Sequence, residues 1–127
     1  MPYLQRLNAR PTQENLSSGD QKHLSQHFNP FGAGVLIDGD EIPWDAIEEV
    51  EVARAPDVTG PTAALVKLFA HGGHQTYHVA LYFGYREAVL PNVSLDVARY
   101  VVQTVAYYAP HPVNYTGPDG LSPTTAD

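Results

Sequence analysis

The sequence has no cysteine, a single methionine and a single tryptophan in 127 residues, and seven lysines and arginines against fourteen aspartates and glutamates. Each shortage removes a class of explanation. Without cysteine there is no disulfide framework, no thiolate nucleophile and no cysteine-ligated zinc. The few basic residues are scattered from Arg6 to Arg99, so no clustered positive surface exists to neutralise nucleic-acid phosphates or an anionic membrane. No apolar run approaches the roughly 20 residues that span a bilayer. The stretch from Met1 to Arg6 lacks the apolar core of a signal peptide. The expectation is a cytoplasmic protein that neither crosses nor binds a membrane and does not bind nucleic acid.

What is present is enough for one domain with tails, able to bury a core without metal or disulfide support. The formal net charge is −7, and its placement matters more than its size. Asp38, Asp40, Glu41, Asp45, Glu48, Glu49 and Glu51 make up half of the fourteen acids, with no Lys or Arg among them.

The stretch Ala63 to Phe83 reads as a β-hairpin that organises the chain. Gly72-Gly73 separates two runs rich in β-branched and aromatic residues, the mark of a two-residue primed turn. Pairing about it sets His71 opposite His74, Leu68 opposite Tyr77, Val66 opposite Val79 and Ala64 opposite Leu81. With period-two alternation, Ala64, Val66, Leu68, Tyr77, Val79, Leu81 and Phe83 share the inward face.

Before it, residues 1–32 read as a weakly structured N-terminal arm in which Ser18 to Phe28 can form a short helix, with Leu24 and Phe28 on one face. Val35 to Ile37 is a strand, Asp38-Gly39 a tight turn, and Asp40 to Ile42 a return strand ended by Pro43. The odd spacing from Ile47 to Val50 cannot belong to one regular strand. A single turn at Trp44 to Ile47, or a bulge, lets Trp44, Ile47, Val50 and Val52 all face inward. After the hairpin come a shorter strand, Tyr85 to Leu90, and an amphipathic helix. Ser94 is its N-cap, Asp96 sits in its first turn, and Val97, Tyr100, Val101, Thr104, Val105 and Tyr108 form its apolar stripe. Pro110 and Pro112 end it.

The predicted organisation is an arm at 1–32, a mainly β domain of the α+β class at 33–109, and a disordered tail at 110–127. The domain is expected to be a strongly bent antiparallel sheet or open barrel of about six to seven strands with one C-terminal helix, and a parallel sheet is disfavoured. That order, with the stretch Gly34 to Val52 and its Ile-Pro-Trp-x-x-Ile phrase at Ile42 to Ile47, resembles the pleckstrin-homology-like superfold, and in particular small bacterial proteins of that class. The resemblance covers about residues 33–109. It implies a binding and assembly platform that is rarely an enzyme. The phosphoinositide-binding role of the superfold is not carried over, because Val35 to Ile42 contains Asp38, Asp40 and Glu41 and no basic residue.

The histidines His71, His74 and His78 read H-x2-H-x3-H. On a hairpin, His71 and His74 are cross-strand neighbours, whereas His78 lies roughly 13 Å along the strand from His74. His71 and His74 are therefore at most an adventitious metal pair, and no metal or cofactor is expected. No Ser, Thr or Lys stands in a nucleophile phrase. The outward face of the hairpin gathers Leu65, Phe69, Ala80 and Tyr82, and contiguous apolar surface of that kind marks an interaction site unless the arm or the tail covers it. The functional expectation is a non-enzymatic protein-protein interaction or self-assembly module, with a homo-oligomer or a protein partner. The alternative is a small-molecule-binding domain or enzyme with its pocket between the sheet and the C-terminal helix.

Overall fold

In a computed structural model, which describes residues 2–55 and 75–125, the chain runs through β1 (Tyr3–Leu4), α1 (Ser18–His27), β2 (Asn29–Phe31), β3 (Gly34–Ile37) and β4 (Asp40–Pro43). A 3-10 turn at Trp44–Ala46 leads to β5 (Glu49–Arg54). Then come β6 (Tyr77–Phe83), β7 (Arg86–Val93), α2 (Leu95–Tyr108), β8 (Asn114–Thr116) and β9 (Thr124–Thr125). The fold is of the α+β class and made mostly of strands. Among the described residues the strands form a three-stranded sheet, β2-β3-β4, and a six-stranded sheet in the order β7-β6-β5-β8-β1-β9.

The small sheet follows its local signals. Asp38 and Gly39 have φ of 49° and 90°, the primed-turn conformation that matches strand twist, and they pair Ile37 with Asp40 and Val35 with Ile42. Gly34 is fixed by a close approach, since a Cβ there would run into the carbonyl of Ile42 on the neighbouring strand. The 3-10 turn then does what the spacing required. Trp44, Ile47, Val50 and Val52 are all buried, while Ala53 is exposed and Glu49 and Glu51 half-buried. The Trp44 indole donates to the Phe31 carbonyl at 2.8 Å and stacks flat on Tyr108 at 4.7 Å, which ties the small sheet to α2.

The organising hairpin is corrected in its pairing. Ala63 to Gly73 lie outside the described residues, and β6 is bonded on both edges, to β5 and to β7. Val79 pairs with Val52 and Leu90, and Leu81 with Val50 and Ala88. The glycine pair is a local signal. The valines of β5 offer an equally regular inward row, and β6 takes it. The face assignment holds regardless of neighbour, because alternation belongs to β6 itself, and Val79 and Leu81 are fully buried. β7 runs on past Pro91 to Val93 through a register shift at its pairing with Tyr77 and Val79. Asn92 there has φ of 54°, and its N–H donates to Nδ1 of His78 at 3.1 Å, so His78 caps an irregularity. Tyr85, expected to start this strand, instead stands fully exposed in the preceding turn.

The N-terminal and C-terminal stretches are where the structure differs most from expectation. Residues expected to be an arm carry β1, α1 and β2, and α1 buries Leu24 and Phe28 as its i, i+4 pair. Residues expected to be a tail supply β8 and β9 on either side of β1, with Val113, Tyr115 and Leu121 in the core. β8 also runs parallel to β5, pairing Val50 with Tyr115, so the large sheet is mixed rather than wholly antiparallel. Against its inner face lies α2, with Val97, Val101, Val102 and Val105 buried. Ser94 caps α2 by accepting from the Val97 N–H at 3.1 Å.

Gly34→Ala is expected to cost about 2 kcal/mol or more, because its new methyl meets backbone rather than a side chain that can move. A urea unfolding midpoint unchanged from wild type would contradict this account of the β3–β4 approach.

Candidate functional site

Two surfaces are candidates for a functional site. The first is the outward face of β5, β6 and β7. Of the residues expected there, Leu65 and Phe69 lie outside the described residues, as do His71 and His74. Ala80 and Tyr82 do share that face, but three of their four cross-strand neighbours are acidic. Ala80, only 8% exposed, sits between Glu51 and Val89, and Tyr82 sits between Glu49 and Glu87. The described part of this face is a phenol set among three carboxylates, with Val89 exposed at its edge. The Tyr82 hydroxyl donates to Glu51 Oε1 at 2.6 Å. That bond, then desolvation, then the charges of Glu51, Glu87 and Glu49 push the phenol up to about 12.

The rest of the acidic run is dispersed. Asp38 meets Nδ1 of His27 at 2.6 Å, Asp40 lies 3.5 Å from Arg86, and Glu48 accepts the Gly84 N–H at 3.1 Å. Glu49 accepts the Thr116 hydroxyl at 3.2 Å. Among the described residues no three His, Asp or Glu side chains gather as a metal site.

The second surface is a cleft of about 850 Å³ where the first turns of α1 and α2 meet the start of β6 and the end of β7. The two caps position it. Ser17 accepts the Asp20 N–H at 3.1 Å, and the Ser94 hydroxyl donates to Asp20 Oδ2 at 2.9 Å. Asp20 and Asp96 both answer the positive ends of helix dipoles. His23 lies on the wall, its Nε2 buried without a hydrogen-bond partner among the described residues, and its ring stands 4.7 Å from that of His27. The Ser94 hydroxyl is engaged twice, donating to the Asp20 carboxylate and accepting the Val97 amide, as a helix cap does. The sequence signals Ser94 and Asp96 as a helix start, and nothing local says that the start of α1 will be brought to the same place.

No family model, no curated protein and no solved structure matches the chain.

His111 shows how charge is used away from both surfaces. Its Nδ1 lies 3.0 Å from the Pro112 carbonyl and its Nε2 2.7 Å from the Asp45 carbonyl. Only an imidazolium donates to both. These two bonds raise its pKa above the ordinary 6.5, the charges of Asp45 and Glu48 adding to them and desolvation opposing. A folded-state pKa above the unfolded one stabilises fully below the unfolded value, and that contribution is lost as pH rises through the folded one. Stability is therefore expected to decline as pH climbs from about 6.5, and His111→Gln should flatten that decline in thermal unfolding scans. An equally steep decline in the variant would assign it to other groups.

Ser94→Ala removes both the cap of α2 and the donor to Asp20. A loss of about 1–2 kcal/mol is expected. A loss confined to a few tenths, measured by denaturant titration, would mean that the α1–α2 junction is held elsewhere.

Proposed function

We propose that the chain is a non-enzymatic protein-interaction module on a pleckstrin-homology-like frame, and that it docks a basic protein partner through the outward face of β5, β6 and β7. Two features support the frame. Among the described residues β2-β3-β4 and β5-β6-β7 pair antiparallel in chain order, and a helix follows the second set. The observation that carries the docking surface is the ring of Glu49, Glu51 and Glu87 around Tyr82. Tyrosine is a frequent interface anchor, and carboxylates around it favour lysines and arginines on the incoming surface. The same charge opposes a second copy, since in a two-fold dimer this patch would meet itself. The partner is thus a different chain rather than a homo-oligomeric mate.

Titration with a lysine- and arginine-rich peptide, followed by amide shifts in 15N-labelled protein, tests this. Saturable shifts are expected at Glu49, Glu51, Ala80, Tyr82, Glu87 and Val89. Glu49→Lys with Glu87→Lys should weaken binding at least about tenfold. Light scattering should give a mass near 13.9 kDa. Shifts confined to Asp38–Glu41, no saturable shift at all, or a stable multiple of that mass would each sink the proposal.

A further inference from the structure

We propose that the basic partner of the β5, β6 and β7 face is held by strand addition, with an extended segment of it pairing along the outer edge of β7. Among the described residues β7 ends the six-stranded sheet, with β6 on one side and no strand on the other. Such an edge is a template for pairing, and proteins guard it with proline, irregular backbone or charge. One half of this edge is guarded in that way. Pro91 has no N–H, and the Asn92 N–H goes to Nδ1 of His78 beside a register shift. The other half, Arg86 to Leu90, keeps regular pairing with β6.

The turn decides which groups point outward. Gly84, with φ of 63°, and Tyr85 form a two-residue loop between the paired Phe83 and Arg86, a primed turn with glycine first. Phe83 and Arg86 then close the hairpin by exchanging hydrogen bonds, and bonded and non-bonded pairs alternate from there. Tyr82–Glu87 and Ala80–Val89 are non-bonded pairs, so the N–H and C=O of Glu87 and Val89 turn away from β6 toward the edge. Both side chains are exposed on the docking face, Val89 to 38%.

Glu87 and Val89 also finish two rows that cross the face. One reads Glu49, Tyr82, Glu87 and the other Glu51, Ala80, Val89. A strand laid on β7 sets one residue at the end of each row, two apart in its own sequence. The first meets a carboxylate and the second an exposed valine. The segment that fits therefore carries a lysine or arginine two residues from an aliphatic side chain. Glu87 turns the edge against a second copy, whose own β7 brings the same charge. Backbone pairing thus adds to the docking of a basic partner, on which it rests, the way that partner is held.

The probe is acetyl-Lys-Thr-Val-Thr-Lys-amide, which presents the same pattern in either strand direction. Titrated into 15N-labelled protein, it is expected to shift the amides of Glu87 and Val89 saturably and to slow their hydrogen exchange. Two isomers separate pairing from charge, one N-methylated at the valine and the C-terminal lysine, the other at both threonines. Each blanks one edge of the peptide strand and leaves its charge unchanged. The first should lose about tenfold in affinity if the strands run antiparallel, and the second if they run parallel, as two hydrogen bonds are lost in either case. Val89→Pro removes an outward N–H and no bond to β6, so it should keep the thermal midpoint near wild type and weaken the peptide by about tenfold. The isomers decide the case in which that variant is unstable. Equal affinities of the two isomers, or unchanged affinity in folded Val89→Pro, would overturn strand addition. If both isomers then still shift Glu49, Tyr82 and Glu87, the docking face itself stands, whereas no saturable shift with the unmethylated peptide would sink both.

Discussion

The chain keeps one apolar face through two sheets because its extended path is broken at Trp44–Ala46. Ile47 and Val50 are three apart, and a continuous strand would point them to opposite faces. Ile47 and Glu48, which lie outside any strand between the 3-10 turn and β5, take up the mismatch. Pro43 ends β4 with extended backbone and no amide to donate, and the turn that follows puts Trp44 beneath α2. The indole then joins three parts of the fold, through its bond to Phe31 in β2, its stack on Tyr108 in α2 and its place in the core. Burying a side chain of that size is worth about 2–3 kcal/mol, and few other residues reach so many elements at once.

A second junction depends on electrostatics rather than on area. α1 meets α2 at one end through Phe28 packed edge-on against Tyr100 at 6.2 Å, and at the other through Asp20 and Ser94. The Ser94 oxygen accepts an amide from its own helix while its proton goes to the other helix, so the cap and the tertiary contact are one group in two roles. Asp20 likewise sits in the first turn of α1, where a carboxylate is favoured by about 0.3–1 kcal/mol, and reaches across to α2. The cleft is the space left where two helices begin at the same place with their polar ends together.

These two junctions mark the boundary of what the sequence makes legible. Signals complete within a few residues are readable: the Asp38-Gly39 turn, the inward set Trp44, Ile47, Val50 and Val52, the Ser94 cap, and the Leu24–Phe28 pair. Each depends on backbone geometry that neighbours in sequence determine. Pairing between distant segments is not readable in that way. Tyr3–Leu4 is too short to show alternation, yet it lies between β8 and β9. Val113, Tyr115 and Leu121 are too widely spaced among prolines and glycines to announce a strand. β1 pairs with strands at the far end of the chain, and Tyr115 pairs also with Val50 in the middle of it. The pairing expected for Ala64 and Val66 went astray for the same reason, since alternation assigns the face of β6 but does not choose between equally regular neighbours. The Tyr82 face is readable as outward and not as acidic, because Glu49 reaches it only through the β5–β6 pairing.

The donors that meet the acidic run explain how a chain with net charge −7 concentrates half its acids in fourteen residues. Glu48 is met by the Gly84 amide, Glu49 by the Thr116 hydroxyl and Glu51 by the Tyr82 phenol. All three donors are neutral. Each orients a carboxylate and supplies part of the hydrogen bonding it would have had from water, so the acids are fixed without being discharged. Where cations do appear, at Arg86 beside Asp40, the contact is long and solvent-exposed, a geometry that contributes little. The negative field of this region therefore survives folding. It reaches about one Debye length, roughly 8 Å at physiological ionic strength, which is far enough to act on an approaching basic surface before any contact forms. Neutral donors keep the carboxylates in place without cancelling them, whereas a lysine in any one of those positions would have removed part of that charge.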